Sequence, residues 1–110
     1  MVHVWMVKTD RVLSEEEAAA LTACLPPERR VRLAGQLPRQ QAEVLWAYGL
    51  LLALLRERCG WREIPSIDRT DSGKPFFPGH PQVHFSISHT EGAAAAAVAD
   101  APVGVDIQRI

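Results

Sequence analysis

The sequence predicts an α+β domain in which a small, mainly antiparallel sheet packs against one long helix. Three observations predict it. A 12-residue apolar run, Val44 to Leu55, lies inside a stretch that opens at Pro38 and closes at Gly60. Short β-rich runs flank that stretch on both sides. The chain has 110 residues, which suffices for one core and is too few for two.

Taken in order, residues 2–7 read as the first strand. Ser14-Glu-Glu-Glu17 is a capping box ahead of Ala18, Ala19, Ala20 and Leu21, so a helix is predicted from there to about Leu25. Pro26 and Pro27 stop it and suit the first turn of a second helix, from Glu28 to about Gly35. Pro38 opens the third, which runs to about Arg58, with Gly60 just past its end. Beyond Trp61 the pattern turns to strands and turns. Asp71-Ser-Gly-Lys-Pro75 is a turn sequence. Val83 to Ser88 alternates as a strand does, and Val103 to Gln108 alternates again. Ala93 to Ala99 is ambiguous: alanine favours helix, but Gly92 before it and Asp100-Ala-Pro102 after it frame a strand's length, and strand is expected.

The third helix is apolar on every face through Leu50, Leu51, Leu52, Leu54 and Leu55. Such a helix must be covered on several sides. The expectation is therefore that the 38–58 helix, bare at Leu50, Leu51 and Leu54, docks a partner lobe or another copy of the chain.

Composition excludes several classes. Apolar residues at 47% and charged residues at 23% give a globular balance, not a disordered one. A net charge of −1 argues against nucleic-acid binding, which needs a basic excess to neutralise phosphates. The basic residues do concentrate between 26 and 58, where Arg29, Arg30, Arg32, Arg39, Arg56 and Arg58 outnumber Glu28, Glu43 and Glu57. The apolar run is too short for a bilayer, and Met1 leads straight into Val-His-Val-Trp-Met-Val without the features of a signal peptide. A cytoplasmic location with reduced Cys24 and Cys59 is expected, and no membrane partner.

Three segments carry chemistry. Ser72-Gly73-Lys74-Pro75 places a cation on a turn; alone it reads as a surface turn and lacks the spacing of a P-loop. Ser88 and His89 close a strand and can donate to an anionic oxygen, whereas His84 and His89 point to opposite faces and make a poor zinc pair. Asp106 and Gln108 share a strand face and would suit a magnesium ion that keeps waters and phosphate oxygens.

In the order Gly-Lys-Pro, Ser-His-Thr, Gly-Val-Asp-Ile, these segments resemble the 4′-phosphopantetheinyl transferases of the two-lobed type. That family carries a Gly-Lys-Pro loop, a Phe-Asn-x-Ser-His-Ser strand and a Gly-x-Asp-x-Glu strand. Leu13-Ser-Glu-Glu-Glu and Pro27-Glu-Arg-Arg-Val-Arg look like its amino-terminal helices, so the resemblance covers essentially the whole chain. It implies that residues 1–110 form an amino-terminal lobe with the second lobe absent. It implies transfer of 4′-phosphopantetheine from coenzyme A to a serine of an apo acyl- or peptidyl-carrier protein, a holo-[acyl-carrier-protein] synthase activity in fatty acid, polyketide or nonribosomal peptide biosynthesis. Gly73, Lys74 and Pro75 would hold the adenine and 3′-phosphate end, Ser88 and His89 the phosphates, Arg29 and Arg32 the 3′-phosphate, and Asp106 with Gln108 a Mg²⁺ ion.

The chain departs from the pattern at three places. Gln108 stands where the family usually has a second metal-binding glutamate. Val44 and Leu45 stand where relatives often carry an arginine and a hydroxyl residue. The family's Trp-x-x-Lys-Glu helix, which brings a catalytic lysine and another metal-binding carboxylate, is not in the sequence, so this lobe is assigned no catalytic residue and is expected to be incomplete alone. A catalytically silent coenzyme-binding or scaffold module is the alternative.

Overall fold

In the computed structural model the Ser14 hydroxyl accepts the Glu17 N–H while Glu17 accepts the Ser14 N–H, so both halves of the predicted capping box are made. The helix it starts, α1, is Glu15–Ala23. Pro26 then caps α2, Pro27–Ala34, and α3 follows as Pro38–Cys59. Gly60 ends α3 at φ +71°, a conformation that favours glycine. The structure describes residues 2–8, 13–35, 38–90 and 92–104, with residues 27–28 and 38–40 through their backbone.

Strand β1 is Val2–Lys8. Two short strands, β2 (Asp68–Arg69) and β3 (Pro75–Phe76), pair antiparallel around the Asp71–Lys74 turn. Gly73 occupies the turn at φ +89°, and its N–H donates to the Thr70 carbonyl at 2.8 Å. The main sheet has the order β1–β5–β4, all antiparallel, with β4 at His84–Thr90 and β5 at Ala93–Ala99. The alanine run is thus the central strand, with the bounds its flanking residues suggested. Val103 and Gly104 carry no strand, and residues 105–108 of the last expected strand lie outside the described residues.

Register divides the sheet into two faces. His3, Val98 and Phe85 share the inner face, followed by Trp5, Ala96 and Ile87, then Val7, Ala94 and His89. α3 lies against this face, over β5 and β4. Phe85, Ile87, Ala96 and Val98 meet Leu51, Leu54 and Leu55 in one core. The opposite side of α3 is covered by α1, α2 and the 61–83 loop, through Leu21, Leu25, Leu33, Ile64 and Phe77. Gly49 lets α1 come close, since a Cβ there would meet Leu21 Cδ2 at 3.3 Å.

This arrangement corrects the expectation of a bare helix face. Leu51 and Leu54 are fully buried within the chain, and Leu50 is half-buried against the same core. Two short helices and a long loop fold back over α3, a covering the periodicity of α3 alone could not reveal. The open apolar surface lies on the outer face of the sheet instead, where Val2, Val4 and Met6 are 54%, 51% and 67% exposed.

The packing sets a stability expectation. Leu54→Ala removes a fully buried side chain from the α3–sheet contact and is expected to cost about 2–5 kcal/mol. Val31→Ala, at a position that is 75% exposed on α2, is expected to change stability by less than about 0.5 kcal/mol. Urea unfolding followed by circular dichroism reads both.

Candidate functional site

The Gly-Lys-Pro turn stands beside the start of β4. Lys74 is exposed, its N–H bonded to the Thr70 hydroxyl and its carbonyl accepting the Thr70 N–H at 2.9 Å. Arg69 reaches across the same turn to the Gly73 carbonyl at 2.8 Å. These bonds fix the loop while its ammonium stays in water. Behind it lies a cavity of about 360 Å³, lined by Lys74, Pro75, Phe77, His84, Phe85 and Pro102 among others. Phe77 stacks on Phe85 with ring centroids 4.3 Å apart, and Trp61 meets Phe77 edge-on at 5.7 Å, so the cavity floor is tied to the core. Apolar walls with a cation at the rim suit a flat ring bearing an anionic group.

His89 lies near the other end of β4. It is five residues from His84, so about 17 Å separates them along the strand. Its ring is on the inner face, where Nδ1 stands 3.4 Å from Glu43 Oε2 of α3. Ser88, its chain neighbour, faces the outer side beside Ala95, with Met6 on the far side of that alanine. Arg29 is half-buried in the first turn of α2 and Arg32 exposed in the last.

Lys74 and Pro75 therefore share one cavity, and His84 joins them; the structure puts His89 and Ser88 elsewhere on β4, on opposite faces. Lys74 and His89 thus stand toward opposite ends of β4. Asp106 and Gln108 lie outside the described residues. Among the described residues, no three His, Cys, Asp or Glu side chains form a metal-holding group, and no helix is long and apolar enough to cross a membrane.

Three residues of interest escaped the sequence reading. His84 was considered only as a zinc ligand; its place beside Lys74 and Pro75 comes from tertiary packing of the 70–77 hairpin on β4. Phe77 follows Pro75 by two residues, a spacing that carried no signal alone. Glu43 meets His89 only because α3 crosses the sheet.

The motif order resembles that of the 4′-phosphopantetheinyl transferases, and the chain is similar in sequence to proteins of that class. Comparison with curated proteins gives the particular relatives. A 4′-phosphopantetheinyl transferase of Bacillus subtilis is 26% identical over 111 residues, covering 99% of this chain and 50% of the relative. The 4′-phosphopantetheinyl transferase Sfp of Bacillus subtilis strain 168 is 26% identical over 115 residues, 98% of this chain and 49% of its own. The transferase ffp of Bacillus subtilis is 27% identical over 111 residues, at 99% and 50%. The chain thus spans about half the length of the relatives it matches. No family model matches it.

Both cysteines are free thiols, and both are partly buried. Burial pushes the Cys59 thiol above its ordinary value. Less thiolate forms at a given pH, so Cys59 is expected to react with iodoacetamide at pH 8 more slowly than glutathione does. Peptide mapping of the alkylated protein over time checks it.

Proposed function

We propose that the chain is the amino-terminal lobe of a 4′-phosphopantetheinyl transferase and forms one wall of its coenzyme A site. The observation that carries this reading is the cavity at the Gly-Lys-Pro turn, whose apolar floor and cationic rim fit a nucleotide ring with its phosphate. The match to three transferases along nearly the whole chain supports it. In this reading Gly73, Lys74 and Pro75 hold the nucleotide end, and the pantetheine diphosphate runs along β4 toward Ser88 and His89. Arg29 and Arg32 add positive charge from α2.

The reaction places a carrier-protein serine oxygen on the phosphorus that bears pantetheine. A new P–O bond forms, the bond to the nucleotide breaks, and adenosine 3′,5′-bisphosphate leaves with the electron pair. The serine proton is released. Such transfer depends on positioning and on neutralising phosphate charge, and this lobe's cations do part of both. We assign Asp106 and Gln108 to Mg²⁺ on the strength of the Gly-Val-Asp-Ile motif; the ion, when bound, would supply further neutralisation.

The second lobe, in this reading, meets the sheet's outer face rather than α3. Val2, Val4 and Met6 leave an apolar surface there, flanked by flush alanines. The relatives are about twice as long as the stretch this chain matches. The silent-module alternative is favoured by one observation, the Glu43 carboxylate beside His89, which offsets a charge that a phosphate would use.

The decisive assay gives the protein carrying both lobes coenzyme A, Mg²⁺ and an apo carrier protein, and looks by mass spectrometry for the added phosphopantetheine. Lys74→Ala and His89→Ala are each expected to weaken coenzyme A binding by about 1.5–3 kcal/mol, the scale of a hydrogen bond to a charged group. Unaltered isotherms for both variants, or coenzyme A that never binds, would favour the silent module.

A separate test addresses the sheet face. Val4→Lys is expected to leave the melting temperature of the isolated lobe nearly unchanged, because the side chain is 51% exposed. In the two-lobed protein it is expected to lower stability by placing a charge in a buried contact. Equal effects in the two proteins would remove the outer face as the lobe interface.

A further inference from the structure

We infer that Glu43 is a positioning residue for His89, holding the imidazole so that its far nitrogen, Nε2, is the atom presented to a ligand phosphate. The inference rests on the coenzyme A reading above for the ligand and on geometry for the rest. His89 Nδ1 is 3.4 Å from Glu43 Oε2. A carboxylate offers only acceptors, so the imidazole nitrogen that faces it carries a proton in both the charged and the neutral ring. That leaves Nε2 on the open side of the ring, and the His89 side chain is 38% exposed while Glu43 is only 18% exposed. The half-buried partner stands on α3 just ahead of the core residues Val44 and Leu45. The exposed partner is the one a ligand would meet.

The pair as a whole is neutral when both members are charged. His89 then acts less as a long-range attractor of anions than as a directional donor, with Nε2–H aimed by the contact at Nδ1. The same logic holds a metal-bound or catalytic histidine through its second nitrogen. Nothing in the chain spacing of residues 43 and 89 announces it; α3 brings the two together by crossing the inner face of β4.

The test reads the imidazole directly. Two-dimensional long-range proton–nitrogen spectra of the wild-type protein, taken at a pH where the ring is neutral, are expected to show the Nδ1–H tautomer for His89. Glu43→Gln keeps an acceptor oxygen and is expected to keep that pattern. Glu43→Leu is expected to lose it, and to weaken coenzyme A binding about tenfold, the loss expected when one charged contact no longer orients a donor. Glu43→Ala repeats the measurement should leucine disturb α3, with circular dichroism confirming the fold. An Nδ1–H tautomer that persists in Glu43→Leu and Glu43→Ala overturns the inference, as does a lost tautomer with coenzyme A affinity unmoved. Failure of coenzyme A to bind the wild-type protein, with the tautomer pattern as expected, overturns the coenzyme reading and with it the ligand assigned to Nε2.

Discussion

β5 is built almost wholly of alanine and α3 largely of leucine, and the two lie against each other. An alanine strand leaves a shallow surface, so a helix with long side chains can come close and still pack densely. Leu51, Leu54 and Leu55 are fully buried as a result, and so are Ala94 to Ala97. The strand is also central in the sheet, with β1 and β4 on its flanks. Because the helix is seated there, Glu43 comes over His89 near one end of β4, and the 61–83 loop folds over the rest of α3. Loss of that contact would separate Glu43 from His89.

The same geometry decides what kind of ligand β4 can serve. A strand advances about 3.3 Å per residue. Residues near its two ends cannot grip one small ion, whatever their chemistry. Lys74 and His84 bound a cavity at the start of β4, and His89 stands five residues on. Under the coenzyme A reading, the ligand would have to run from one end of β4 to the other.

Much of the fold was legible because its signals are local. Ser14 and Glu17 satisfy each other's backbone donors three residues apart, so the start of α1 could be read directly. Pro38 and Gly60 bracket α3 for equally local reasons, and Gly92 and Asp100 framed the alanine strand against its own helical propensity. Strand order was not legible, since β1 and β5 lie at opposite ends of the described chain. Nor was the covering of α3, because α1, α2 and the loop carry too weak a pattern to say where they turn. At the site, the Gly-Lys-Pro turn was readable from turn chemistry, whereas the roles of His84 and Glu43 depend on which elements cross. The expected Asp106 and Gln108 pair falls outside the described residues.

Alternation along β4 also bears on how two lobes would share one ligand. His89 faces α3 and Ser88 faces the outer side of the sheet, next to Ala95 of β5. Adjacent residues on a strand cannot both reach into one inner pocket. Under the coenzyme A reading, they act from two sides of the strand end: the imidazole from the helix side, already oriented by Glu43, and the hydroxyl from the side that a second lobe would cover. The apolar patch of Val2, Val4 and Met6 lies on that same outer side. Under that reading, a lobe seated on the outer face would meet the side of the strand end that carries Ser88, while His89 stays on the side of α3.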